Sequence, residues 1–404
     1  MSWSRREVIR SSVALGFLAG LGCLRPLSAA ATTLKMPIGV GLNTNGGPLV
    51  MQMQREGLIE AAAKAVGLDV QPEFQDFQAL LRMLQGIAAG QLQYGMLGST
   101  PNIRLLATPE PAIPIALAGG GADFPLQVNA GSPIHDLDGL KGKTVLTLVG
   151  SDLHLTFINM LRAYFGNDNV KELGITVKNV TAVTELYAQQ VGIDAYVGVD
   201  PGSYGAQERK VLSTLLHNNG TTGPAWDGRD GKGAGITPGF FKKSQYAPEA
   251  FYPHRIWWVV RERFMKEQPD AVVSFLVANH RATVALAKAP PERVIELIGD
   301  HWASSASLDA KKSLLADTLW RRRGWSWITE GDAKTLIGLS KVKTIFEQEL
   351  TPALIKSVFA KGSEITRKAY ERVGKEPAVA VLVDAGAADV RGRPQWEIDT
   401  WSLS

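Results

Sequence analysis

A short apolar run, Thr144 to Val149, ends at Gly150 and passes at once into Ser151 and Asp152, after which Leu153, Leu155, Ile158, Leu161 and Ala163 recur at helical spacing. Turn chemistry precedes the run, in Asp138, Gly139, Lys141, Gly142 and Lys143. β-branched and apolar residues bounded by such turns mark a buried strand, and Ser and Asp are strong N-cap residues. A strand that feeds through a glycine turn into a helix is the repeating unit of a layered α/β fold. The first amides of that helix have no backbone partner and sit at the positive end of its dipole, so a small anion or polar head group is held well there. The sequence Gly139-Leu-Lys-Gly-Lys-Thr144 has the look of a phosphate loop, but that motif needs a glycine where Leu137 stands and places its glycines after the strand.

The same unit recurs along the chain. Strands are expected at 34–40, 68–74, 94–97 and 113–118, with helices from Pro48 to about Ala65, from Gln78 to Ala89 and from Pro101 onward. Short connections between them argue for a parallel sheet covered on both faces. A crossing strand at 124–129 opens a second set: strand 144–149, helix 152–165, strand 175–180, helix 182–191, strand 194–199, and a strand near 211–216. The character then changes. Asn218 to Gly239 holds seven glycines and few apolar residues, too few to offset the entropy of ordering that backbone, and it reads as an insertion: either a lid over a site or a surface flap. Ile256 to Val260 is a strand, with Trp257 and Trp258 as core, and the pattern is helical from Pro269 to about Val373. Trp320, Arg321 to Arg323 and Trp325 read as a packed helix end with solvated charges.

Residues 1–31 stand apart. Ser4-Arg-Arg-Glu-Val-Ile-Arg10 is a twin-arginine pattern, Ser11 to Leu24 is a modest apolar core, and Leu27 to Ala31 offers small residues for cleavage. We read an export signal and therefore a periplasmic location. The segment carries four arginines and one glutamate, so its removal lowers the formal charge from +4 to +1, and nothing argues for nucleic acid. Cys23 is the only cysteine, so the chain beyond the leader has no disulfide, no cysteine nucleophile and no cysteine metal site.

Several phrases in order resemble a known family: Glu56-Gly-Leu-Ile-Glu60, Gly67-Leu-Asp-Val70, Gly90-Gln-Leu-Gln-Tyr-Gly95, Gly98-Ser-Thr-Pro101, Leu137-Asp-Gly-Leu-Lys-Gly-Lys143, Gly150-Ser-Asp-Leu-His154, Gly192-Ile-Asp-Ala-Tyr-Val197 with Asp200-Pro201, and Arg263 to Asp270. Over about 34–300 the chain is similar to the substrate-binding proteins of ABC importers, of the sulfonate, nitrate, taurine and thiamine-precursor type. The resemblance implies two doubly wound α/β lobes joined by a hinge, here with a C-terminal helical extension. The implied division is lobe 1 at 34–122 with 256–390 returning to it, lobe 2 at 123–217, a hinge-side insertion at 218–255 and an irregular tail at 391–404. It implies a monomer without a cofactor or catalytic residues, which hands a small solute to a membrane permease. Two alternatives share the fold: a signalling or scaffold binding protein, and the related thiamine-pyrimidine synthase branch, which uses a cysteine-rich iron motif that this chain lacks.

Ligands of open α/β sheets sit beyond the carboxyl ends of the strands. Here those ends supply Asn43, Asn45, Asp76, Phe77, Ser99, Thr100, Ser151, Asp152, His154 and Asp200, and the resemblance assigns ligand contacts to the same loops. Structural roles compete at each. Ser99, Thr100 and Ser151 serve equally as caps, Asp76 and Phe77 as turn and core, and His154 as a packed histidine. Val199-Asp-Pro201 departs from the Trp-Glu-Pro frequent in the family, and a carboxylate there repels an anion unless it holds a donor or an amine. The remaining histidines, including His254 and His301, form no metal spacing and read as structural or exposed.

Overall fold

The computed structural model describes residues 33–403 apart from 78–79, 110, 181, 228–250, 253, 303–305, 317–325 and 375–391. Residues 1–31, read above as an export signal, most of the glycine-rich insertion and the Trp320 to Trp325 cluster lie outside the described residues.

The first half alternates strand and helix as its periodicity predicts: β1 (Leu34–Val40), α1 (Gly47–Arg55), α2 (Leu58–Lys64), β2 (Val70–Asp76), α3 (Leu80–Ala88), β3 (Tyr94–Gly98), α4 (Ser99–Leu106) and β4 (Ile113–Gly120). The single helix expected from Pro48 to Ala65 is two, because Gly57 takes a left-handed conformation at φ 57° between them. A second set follows: β5 (Leu126–Asn129), β6 (Thr144–Thr147), α5 (Asp152–Phe165), β7 (Thr176–Asn179), β8 (Ala195–Val197), α6 (Gly202–Glu208) and β9 (Leu212–Leu216). The helix expected at 182–191 is only a 3-10 turn at Val183–Tyr187. The backbone N–H of Gln190 donates to the Tyr196 hydroxyl at 2.8 Å, which takes that donor away from the helical ladder. The chain continues through β10 (Arg255–Val260), α7 (Glu262–Glu267), α8 (Pro269–Lys288), α9 (Pro291–Ile298), α10 (Leu308–Ala316), α11 (Glu330–Ser340) and α12 (Pro352–Val373).

The strands form two five-stranded sheets, ordered β2-β1-β3-β10-β4 and β7-β6-β8-β5-β9. Neither is purely parallel. In the first, β10 runs antiparallel between β3 and β4; in the second, β5 runs antiparallel between β8 and β9. Each sheet thus receives one reversed strand just after the chain has crossed from the other, once through 121–125 and once through 217–254. The four strands read as a parallel set, β1 to β4, all run in one direction, and the reversed strands are the two that follow a crossing. A crossing chain enters from the opposite end, and strand-local sequence carries no record of that.

β4 and β10 are buried along their whole length, because helices cover the first sheet on both faces. Trp257 and Trp258 are core, as expected: the indole N–H of Trp258 donates to Asn279 Oδ1 at 2.8 Å, and Asn279 Nδ2 donates in turn to the Leu117 carbonyl. α8 starts on Pro269 in its first turn, where a missing N–H costs nothing. At the start of α11 the Thr329 side chain and Asp332 close a capping box, and the same Asp332 carboxylate accepts from Arg255 Nε at 3.0 Å inside the protein. The tail is more ordered than the sequence suggests. Gln395–Thr400 forms a 3-10 turn, and the buried Gln395 side chain donates to the carbonyls of Pro114 and Phe359, each at 3.0 Å. Among the described residues no helix is long and apolar enough to cross a membrane.

Candidate functional site

The carboxyl ends of β1, β2, β3, β6 and β8 open on a cavity of about 430 Å³. On the side of the first sheet the loop after β1 is folded on itself. Thr44 Oγ1 donates to the Gly41 carbonyl at 2.7 Å and accepts from the Gly46 N–H. Asp76 Oδ1 accepts from the Leu42 N–H at 2.9 Å, and the Phe77 N–H donates to the Val40 carbonyl. These bonds hold Asn43, Asn45, Asp76 and Phe77 against the cavity. Asn45 is only 2 % exposed.

On the side of the second sheet the strand–glycine–helix junction forms as read. Ser151 is the N-cap of α5: its hydroxyl accepts from the Leu153 N–H at 3.2 Å and donates to the Leu148 carbonyl at 2.7 Å. Gly150 turns the chain at φ 80°, and its N–H donates to His154 Nδ1 at 3.2 Å. His154 therefore faces back onto the turn and is not among the residues that line the cavity. Burial, with the charge of Arg104 adding to it, lowers its pKa to about 4.

The matching junction on the first sheet, between β3 and α4, is satisfied differently. Its N-cap residue is Gly98, which has no side chain to offer, so the expected Thr100 cap is absent. The cap comes instead from the other set of elements: Asp152 Oδ1 accepts from the Thr100 N–H at 2.7 Å. The Ser99 N–H and the hydroxyls of Thr100 and Tyr252 also face that carboxylate and favour its charged form. Burial outweighs them and raises the Asp152 pKa. The approach is so close that a Cβ on Gly98 would lie 1.9 Å from Asp152 Oδ2, and only glycine fits. The Tyr252 hydroxyl is pushed well above its ordinary range, by burial first and by the Asp152 charge second.

The two crossings complete the walls. His254 Nδ1 accepts from the Ala122 N–H at 2.9 Å, and burial, aided by Arg255, lowers its pKa to about 3. With Nδ1 accepting, the proton of the neutral ring sits on Nε2. Phe124 meets this imidazole edge to face at 4.8 Å. Deeper in the crossing, Asp123 holds His217 Nδ1 at 2.6 Å and the Asn218 N–H at 2.8 Å. Burial alone would lower the His217 pKa; the Asp123 carboxylate prevails and raises it. The Tyr187 hydroxyl donates to the Val199 carbonyl at 3.2 Å, and burial and the neighbouring Asp200 charge raise its pKa.

Of the ten residues singled out from sequence, Asn43, Asn45, Asp76, Phe77, Ser151, Asp152 and Asp200 line the cavity. Ser99 and Thr100 are buried behind Asp152, with Ser99 Oγ accepting from the Trp257 indole at 3.0 Å, and His154 sits behind the α5 turn. Phe124, Thr184 and Tyr187, which the sequence reading passed over, and His254 and His301, which it set aside as structural or exposed, all line it as well. Phe124, Tyr187 and His254 belong to the crossings and to a turn that was read as helix, and no spacing signal marks them.

A family model described as NMT1/THI5 like matches residues 64–293, more than half of the chain. The chain belongs to the NMT1/THI5-like family. A search of the curated proteins returns no match. Among solved structures, this NMT1/THI5-like protein shares its fold with the periplasmic nitrate-binding protein NrtA from Synechocystis PCC 6803, at TM-score 0.62 and 12% identity over 92% of this chain and 99% of that one. It is similar also to the putative periplasmic sulfonate-binding protein SsuA from Methylobacillus flagellatus KT, at TM-score 0.58 and 13% identity over 85% and 96% of the two chains. The periplasmic aliphatic sulphonate binding protein SsuA from Escherichia coli aligns at TM-score 0.56 and 16% identity over 79% and 96%. The architecture is therefore that of the type 2 periplasmic binding proteins.

Proposed function

We propose that this protein is the solute-binding component of an ABC importer, exported by its twin-arginine leader, and that it acts as a monomer, without cofactor or catalysis, to deliver a small polar organic solute to a permease. The observation that carries this reading is the cavity of about 430 Å³ walled by the strand ends of both sheets and by both crossings. A site built from two units on either side of a crossing can close on a ligand by hinge motion, because bridging contacts favour the closed state. Its walls mix aromatic faces (Phe77, Phe124, Tyr187) with a few polar groups (Asn43, Asn45, His254), the usual composition of a small-molecule site.

Calorimetry of the purified protein against sulfonates, nitrate, amines and aromatic acids tests the reading. We expect a binder whose affinity drops about tenfold or more in Tyr187→Ala or Asn45→Ala, with melting temperatures that stay close to that of the parent. A panel without any binder, or a binder indifferent to both substitutions, would remove the cavity from consideration.

A further inference from the structure

The anion seat of this cleft is already taken. The N-terminus of α4 presents the Thr100 N–H, which donates to Asp152 Oδ1 at 2.7 Å, and the Ser99 N–H and the hydroxyls of Thr100 and Tyr252 surround the same carboxylate. Donors so arranged, at the positive end of a helix dipole, hold an anion. Here the anion is the carboxylate of Asp152, delivered from α5 across the cleft and 5 % exposed. Asp152 and Gly98 both line the cavity, so the seat faces the space that a solute would fill.

We propose that Asp152 is a specificity-determining residue: its carboxylate fills the anion seat of the cleft, so the cleft accepts solutes with a neutral or cationic head group and rejects those that present a sulfonate or similar anion. The Thr100 N–H at the helix end, which would recognise a ligand anion, is spent on Asp152 within the protein. A second anion brought against the same carboxylate meets a like charge in a place shielded from water, where repulsion is strong. Rejection by a built-in charge separates solutes of equal shape. The inference rests on the cleft being a solute site, as proposed above.

A pair of probes with nearly the same shape isolates charge: benzenesulfonate and methyl phenyl sulfone. Their affinities are measured by calorimetry for the parent protein and for Asp152→Ala, Asp152→Ser and Asp152→Asn, with thermal melts to show that each variant is folded. Asp152→Asn keeps the side-chain shape and guards against a misfolded alanine variant. The parent is expected to prefer the sulfone by about tenfold or more. Asp152→Ala and Asp152→Ser are expected to bind benzenesulfonate at least about tenfold more tightly than the parent, with little change for the sulfone. A parent that binds benzenesulfonate as tightly as the sulfone overturns the charge selection but leaves solute binding standing. A sulfone-selective parent whose preference survives in all three variants overturns the role of Asp152. Binding of neither probe by any of the four proteins overturns this inference and leaves the solute-binding reading to the wider panel above.

Discussion

The junctions β3–α4 and β6–α5 are built from the same local device, a strand ended by glycine and a helix opened by small polar residues, and they solve the same problem in opposite ways. At β6–α5 the orphan amide of Leu153 is met by Ser151, two residues away. At β3–α4 the orphan amide of Thr100 is met by Asp152, 52 residues away. The first junction is complete within its own turn. The second is complete only when elements of both sheets are in place. A cap satisfied locally forms with its helix; a cap borrowed from elsewhere ties helix, cleft and tertiary structure into one cooperative unit.

The largest effect is expected from removing the borrowed cap. Asp152→Ala leaves the buried Ser99 and Thr100 amides without their acceptor, and an unsatisfied buried donor costs about 1–3 kcal/mol. We expect a loss of roughly 2–3 kcal/mol in denaturant unfolding. Hydrogen exchange should quicken at the Thr100 amide and stay unchanged at Leu153. Equal quickening at both amides would erase the distinction between the junctions.

Acid separates them next. The folded protein keeps His154 neutral down to about pH 4, whereas the unfolded chain takes up the proton near 6.5. The unfolded state therefore binds more protons in that window, and stability falls as pH drops from about 6.5 to 4. Asp152 has the opposite sign: its pKa is raised in the folded state, so protonation relieves part of the cost of burying it. His154→Gln should remove roughly 2 kcal/mol of the acid-side loss, read as a shallower stability profile between pH 6.5 and 4. An unchanged profile would mean that the histidine is hydrated in the folded protein.

How far these features can be read in the chain follows from how local they are. Ser151 was legible as a cap because a serine after a glycine and before helical spacing acts on the next turn. Most strands were legible for the same reason, as runs of apolar residues between turn residues. The split helix at Gly57 and the missing helix at 182–191 were not, because a left-handed glycine and a distant tyrosine hydroxyl decided them. The reversed strands β5 and β10 depend on where the chain re-enters a sheet. Asp152 stood out as a strong cap type for its own helix, and its structural use is to cap another one. His254 looked like a spare histidine because the backbone N–H that fixes its tautomer lies on Ala122, 132 residues away.

The smallest effect tests the local junction alone. Ser151 Oγ accepts from Leu153 N–H and donates to the Leu148 carbonyl, so Ser151→Ala removes one cap bond and one turn bond at the start of α5. A lost serine cap costs about 1 kcal/mol. Exchange should quicken at Leu153 and hold steady at Thr100, the reverse of Asp152→Ala. Ser151 and Asp152 are adjacent in the chain, and adjacent residues ordinarily couple. Their caps nevertheless serve different helices, so the double variant Ser151→Ala with Asp152→Ala should destabilise by the sum of the single effects within about 0.5 kcal/mol. A larger interaction energy would show that the α5 turn positions the Asp152 carboxylate in the α4 seat, and that the two junctions act as one.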